Sequence, residues 1–170
     1  IREKLKLSVE IPLLLTVRRL EQRMGLENLI LAAGILHRQS PNLNFQMVLT
    51  GKGSLKDRLE QLILEQEVSH CVQLVGLVPS ETLPLYFCCA DLFVLPTLAI
   101  EGFGLVTAEA LSSGIPVIGT PVGATKEILK QVDEKLLFHK TSPEALAKGI
   151  ETYLKSPKVF YSMKPKCRDL

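Results

Sequence analysis

Short apolar runs rich in Val, Leu and Ile alternate along this chain with longer segments of helical period. The runs are Leu13-Leu-Leu-Thr-Val17, Phe45-Gln-Met-Val-Leu-Thr50, Val72-Gln-Leu-Val75, Leu92-Phe-Val-Leu95 and Pro116-Val-Ile-Gly119. Between the first two, Leu26, Leu29, Ile30, Ala33, Leu36 and His37 fall on one helical face, which predicts a helix over 26–37 that Pro41 and Asn42 stop. Leu55, Leu59, Leu62 and Ile63 predict the inward face of a helix over 54–67. Shorter helices are expected over 80–88, 103–112 and 125–130, and a short last strand over 136–138. Ser142-Pro143-Glu144 starts a final helix, with Ser as N-cap and Pro at the first helical position, that ends near Ser156-Pro157. The tail from Lys158 to Leu170 finds no partner in this pattern, and docking on a part of the protein outside this chain is the expectation.

Strands that alternate with helices in this order are the signature of successive βα units. The expected fold is therefore α/β, a single domain (1–170, core about 12–155) built on a doubly wound, Rossmann-like parallel sheet. Ligands of such sheets bind at the carboxyl ends of the strands, so the residues just after each strand are the ones to inspect.

Composition narrows the picture. A chain of 170 residues, 46% hydrophobic and 22% charged, is that of an ordinary packed domain, not a disordered or fibrous one. Its 20 basic and 18 acidic residues are mixed along the sequence, leaving a net charge of +2 and no broad footprint for nucleic acid. Cys71, Cys88, Cys89 and Cys167 match neither a paired metal motif nor a disulfide scaffold, which suits reduced thiols in the cytoplasm. No apolar run approaches the ~20 residues of a membrane span, and the start lacks a signal peptide's apolar core. A first residue other than Met suggests a fragment of a longer protein.

Candidate chemistry gathers after the strands. Arg18 and Arg19 follow the first strand, with Arg23 close behind; guanidinium groups there suit a diphosphate. The second strand leads into Gly51-Lys52-Gly53, which reads equally as an anion-binding turn or a plain tight turn. After the fourth, Glu101-Gly102-Phe103-Gly104 opens the helix that carries Glu109. Backbone amides at that helix start favour an anion, while the two carboxylates suit paired hydroxyl groups. Ala108, Ala110 and Leu111 suggest that Glu109 lies on a largely covered helix and needs partners. Gly119-Thr-Pro-Val-Gly-Ala-Thr125 forms another loop before a helix. No metal-binding motif and no Ser–His–Asp or Cys–His constellation can be assembled, so a catalytic metal is not expected.

Together, EGFGLVTAEAL, SSGIPVIGTPVGATKEIL, TVRRL, GKG and VQLVG resemble, in order, the C-terminal half of the retaining GT-B glycosyltransferases of family 4, or group 1. The resemblance runs from about Leu13 to Leu154. It implies a nucleotide-diphosphate sugar as co-substrate, with no cofactor. Glu101 would meet the donor sugar, Glu109 the ribose hydroxyls, and amides around Gly102, Phe103, Gly104, Leu105 and Val106 the diphosphate. Arg19 would neutralise the leaving group, with Arg18 beside it in the donor site, and Gly76, Leu77 and Val78 would line the base. Gly51 and Gly53 fall in the family's GxG position. The resemblance also implies an N-terminal acceptor-binding domain, and a cytoplasmic location with membrane association through that half.

Two departures stand out: Arg18 replaces the family's usual Gly, and Met24 its usual phosphate-binding Lys, for which Arg23 is the candidate substitute. They keep open a non-catalytic nucleotide-sugar-binding module of the same fold. A nicotinamide-binding domain would need GxGxxG after the first strand, where Val17-Arg-Arg-Leu-Glu-Gln stands. The Glu spacing argues against a related epimerase, and the lack of a cofactor-anchoring Lys segment against a phosphorylase.

Overall fold

The computed structural model describes every residue but Glu101, Phe103, Asp169 and Leu170, and Arg168 through its backbone alone. Its strands are β1 (Leu13–Val17), β2 (Gln46–Thr50), β3 (Val72–Gly76), β4 (Leu92–Leu95) and β5 (Val117–Gly119). The helices between them are α1 (Leu26–Gln39), α2 (Lys56–Glu65), α3 (Leu83–Cys89), α4 (Leu105–Ser112) and α5 (Gly123–Val132). Three follow the sheet: α6 (Pro143–Lys155), α7 (Pro157–Tyr161) and α8 (Lys164–Arg168). Among the described residues no helix is long and apolar enough to cross a membrane.

The sheet is parallel throughout, in the order β3-β2-β1-β4-β5. Leu13, Leu14 and Leu15 of the central β1 are all fully buried, as expected where helices cover both faces, and each contributes on the order of 2 kcal/mol through burial. Right-handed crossovers put α1 and α2 on one face and α4 and α5 on the other. Because the chain turns outward from β1 in one direction and later from β4 in the other, the topological switch point lies between these two strands.

Most expected elements recur with ends shifted by a residue or two. The last strand does not form as expected. Glu134–Leu136 is a 3-10 turn held by Asp133, whose carboxylate accepts from the Lys135 amide at 2.9 Å, and pairing shrinks to one bridge between Leu137 and Gly119. Ser142 caps α6 as expected, accepting from the Ala145 amide at 3.4 Å.

The tail also departs from expectation, for it docks on this domain. From α6, which packs against α1, the chain passes through α7 to α8, which packs against α4 on the opposite face. Phe160, Met163 and Cys167 are buried at this seam. On the way the Tyr161 hydroxyl donates to Asp91 Oδ1 at 3.2 Å, at the amino end of β4, and Asp91 Oδ2 accepts from the Leu13 amide (2.8 Å) and the Arg2 guanidinium (2.6 Å). One carboxylate thus joins the first turn of the chain, the sheet and the last helices. The 158–170 sequence hid this because Val159, Phe160, Met163 and Cys167 are few and are scattered over two short helices and the turn between them.

Candidate active site

At the carboxyl edge of the sheet the loops after β1, β4 and β5 are tied together by side chains. Arg18, half-buried, donates from Nη2 to Thr97 Oγ1 at 2.9 Å and meets Met24 Sδ at 2.9 Å. The Thr120 hydroxyl donates to the Thr97 carbonyl at 2.6 Å. Arg19 is exposed beside them. Arg23 is exposed; its Nη1 donates to the Ile100 carbonyl at 2.7 Å, and its own carbonyl accepts from the Leu98 amide at 2.9 Å. Met24, at the position of the expected lysine, is buried.

Glycine makes the crossing possible. Gly25 has φ 73°, and a Cβ there would collide with the Pro96 carbonyl, so the β1 loop can lie against the end of β4 only without a side chain. Gly51 and Gly53 serve the same purpose. A Cβ on Gly51 would strike the Arg18 carbonyl and one on Gly53 the Leu20 backbone, while the Leu20 amide donates to the Lys52 carbonyl at 3.0 Å. The GKG turn is therefore accounted for by backbone contact with the arginine loop. Beyond it, Gly76 has φ 74°, Leu77 is exposed and Val78 half-buried, leaving a shallow apolar ledge.

The helix start after β4 lies at the same edge. Gly104 caps α4 with φ 70°, and its carbonyl accepts from the Thr107 amide at 2.8 Å. By helix geometry the amides of Leu105 and Val106 have no acceptor inside α4 and carry the positive end of its dipole. Gly102 is exposed, as is Leu105, and Val106 is half-buried. Glu101 and Phe103, expected at the heart of the site, lie outside the described residues.

Glu109 corrects an expectation. It is exposed, as is Ala108, and among the described residues its carboxylate has no hydrogen bond or ion pair. The buried face of α4 is Thr107, Ala110 and Leu111, spaced three and four apart, so the small apolar residues around Glu109 flank an open surface. A carboxylate facing solvent needs no buried partner. The acid at Glu21 is engaged: Ser54 donates to it from its amide at 3.2 Å and its hydroxyl at 2.9 Å, and these bonds hold its carboxyl below the usual range.

Two residues escaped the reading of the sequence. Thr107 and Thr125 are buried, and neither hydroxyl has a hydrogen-bond partner among the described residues. Both lie beside Gly104, their Oγ1 atoms 3.6 and 3.7 Å from where a Cβ on Gly104 would sit. The available signal was a polar residue on an apolar stripe: Thr107 with Ala110 and Leu111, Thr125 with Leu129 and Val132.

His37 is half-buried with its ring 4.7 Å from that of His70, on the helical side of the sheet away from these loops. Among the described residues no group of three or more His, Cys, Asp or Glu is placed to hold a metal ion. A cavity of about 720 Å³ lies apart from the arginine loop, lined by Ile118, Phe138, Lys148, Gly149 and Phe160 among others.

The sequence profile of the family described as glycosyl transferases group 1 matches residues 1–169. The chain belongs to this family. An uncharacterised glycosyltransferase of Methanocaldococcus jannaschii is 34% identical over 143 residues, which cover 84% of this chain and 35% of that protein. Sucrose-phosphate synthase from Thermosynechococcus elongatus superimposes with a TM-score of 0.84 at 30% identity, over 99% of this chain and 42% of that one. HepE of Anabaena, solved in complex with UDP and glucose, does so with a TM-score of 0.85 at 21% identity, over 99% and 45%. The chain thus spans about a third of the length of that curated relative. As a group 1 glycosyltransferase domain it has the parallel, Rossmann-like sheet of the GT-B fold, and its β1/β4 switch point is the edge assembled above.

Proposed function

We propose that this group 1 domain is the donor-binding half of a retaining, metal-independent family 4 glycosyltransferase, acting on a nucleotide-diphosphate sugar. The observation that carries the reading is that Arg18 and Arg19, just after β1, and the α4 helix start, after β4, both lie at the switch point between these strands, where Arg18 reaches Thr97 of the β4 loop. Breaking a sugar–phosphate bond leaves negative charge on the diphosphate, and fixed guanidinium groups and backbone amides lower that barrier without a metal. Arg19 neutralises the leaving group, and the amides of Leu105 and Val106 hold a phosphate. Glu109, open to the cleft, takes the ribose hydroxyls, and the ledge at Gly76, Leu77 and Val78 takes the base. Glu101 positions the donor sugar. The complex of HepE with UDP and glucose supports the choice of ligand.

Transfer needs an acceptor site and a catalytic histidine, both assigned to an N-terminal domain outside this chain, so the isolated domain binds donor and transfers nothing. A cytoplasmic location, with membrane contact through that other half, completes the proposal. A second reading, a binding module without catalysis, is favoured by one finding: Met24, at the position of the family's phosphate-binding lysine, is buried and carries no charge. Titration calorimetry with UDP, GDP, ADP and their sugars tests the site. Saturable binding by one set, weakened about tenfold or more in Arg19→Ala, supports it, since a charge-assisted contact is worth about 1.5–3 kcal/mol. No binding to any of them refutes both readings, and transfer by the protein carrying both halves separates the first from the second.

A further inference from the structure

Three non-glycine residues among those described have φ in the left-handed region: Lys6 at 57°, Glu67 at 59° and Ile100 at 54°. The first two end helices. Lys6 caps the 3-10 turn Arg2–Leu5 and Glu67 follows the C-cap of α2, where this conformation is a common way to stop. Ile100 ends no helix. It stands in the loop between β4 and α4, and it is β-branched, which makes a positive φ strained. Its side chain is 78% exposed, so burial does not offset the strain.

The contacts that hold this loop come from Arg23. Its carbonyl accepts from the Leu98 amide at 2.9 Å and from the Ala99 amide at 3.4 Å, and its Nη1 donates to the Ile100 carbonyl at 2.7 Å. One residue of the β1 loop thus binds three consecutive residues of the β4 loop. Two residues further on, Gly25 lies against the Pro96 carbonyl, where the β4 loop begins. A hydrogen bond from a charged donor is of the same order as the strain of one left-handed residue, so the guanidinium can hold Ile100 where it is.

We propose that Arg23 is a positioning residue for the donor sugar. Its guanidinium keeps Ile100 left-handed and so sets the direction in which the chain runs on into Glu101, because each residue has only two soft dihedral angles through which to turn the chain. This role rests on the donor-binding reading, in which Glu101 meets the sugar, and deepens it. Arg23 acts through the loop on the sugar, and not as a cation on the diphosphate.

Titration calorimetry compares UDP, GDP and ADP with UDP-glucose, GDP-mannose and ADP-glucose on wild type, Arg23→Ala, Ile100→Asn and the double variant. Asparagine tolerates the left-handed region without a clamp. Arg23→Ala is expected to bind the preferred nucleoside diphosphate within about twofold of wild type and its sugar about tenfold more weakly. Ile100→Asn alone should bind both like wild type, and the double variant should recover sugar affinity to within about threefold. Backbone couplings measured by NMR should show positive φ at Ile100 in the ligand-free wild-type chain, lost in Arg23→Ala and regained in the double variant; the wild-type measurement depends on no variant folding. A diphosphate cation would give another pattern, with nucleoside diphosphate and sugar weakened alike in Arg23→Ala and no repair by Ile100→Asn. Either of those results overturns the role, as does a negative φ at Ile100 in wild type or a sugar that adds no affinity to its nucleotide. A wild-type chain that binds none of the probes overturns the donor-binding reading itself, and this role with it.

Discussion

Asp91→Ala should destabilise the domain severely while leaving its ligand edge intact. The carboxylate stands at the amino end of β4, with its side chain 22% exposed, and accepts from the Leu13 amide, the Arg2 guanidinium and the Tyr161 hydroxyl. Truncation leaves the Leu13 amide, on a fully buried residue, without this acceptor, at a cost of about 1–3 kcal/mol. Arg2 keeps its bonds to the Cys89 and Ile11 carbonyls, so losing a partly exposed ion pair adds about 1 kcal/mol, and the tyrosine bond adds about 0.5–1 kcal/mol. The sum is about 2.5–5 kcal/mol, which for a domain of this size lowers Tm by roughly 5–20 °C. Asp91→Asn retains an acceptor for Leu13 and should lose about half as much. Thermal melts followed by circular dichroism, with nucleotide titration at low temperature, measure both quantities. An alanine variant within ~0.5 kcal/mol of wild type, or an asparagine variant no better than alanine, would refute the reasoning that this carboxylate is the node joining first turn, sheet and tail.

Gly25→Ala places a Cβ against the Pro96 carbonyl at φ 73° and should cost about 2–4 kcal/mol; because the displaced backbone belongs to the ligand edge, calorimetry should show nucleotide affinity falling with it. Glu151 ties α6 to the end of α1: bonds from Lys155 (2.7 Å), Ser40 (2.9 Å) and Lys148 (3.2 Å) hold its carboxyl down to about 2 from an ordinary 4.5. A folded-state pKa lowered in this way stabilises the protein above about pH 4.5 and is lost as pH falls toward 2. Urea unfolding across that window should steepen in wild type and flatten in Glu151→Gln. Cys88 is exposed, whereas burial pushes the Cys71 thiol up to about 11 and also raises Cys89 and Cys167. A thiol reagent at neutral pH should modify Cys88 in a fast phase that Cys88→Ser abolishes, and the other three on unfolding.

The outline of this fold was legible because its determinants are local. Leu13 to Val17 and Leu92 to Leu95 are runs that only a sheet covered on both faces can bury, and Ser142-Pro143 announces α6 through its own backbone chemistry. Family membership was legible for a related reason: EGFGLVTAEAL and the segments around it keep their order and spacing along the chain.

What the tertiary structure decided depends on which remote groups meet. Spacing alone did not tell that Gly51 and Gly53 lie against the arginine loop, that the tail wraps beneath the sheet to Asp91, or that Glu109 faces outward. Nor did it tell that Arg23 is held by a carbonyl 77 residues away, or that Thr107 and Thr125, from separate helices, share Gly104 as neighbour. Propensity, capping and hydrophobic period act over a few residues and are written into consecutive letters. Strand order, crossover handedness and the approach of one backbone to another are properties of the packed chain, and they set which polar groups find partners there.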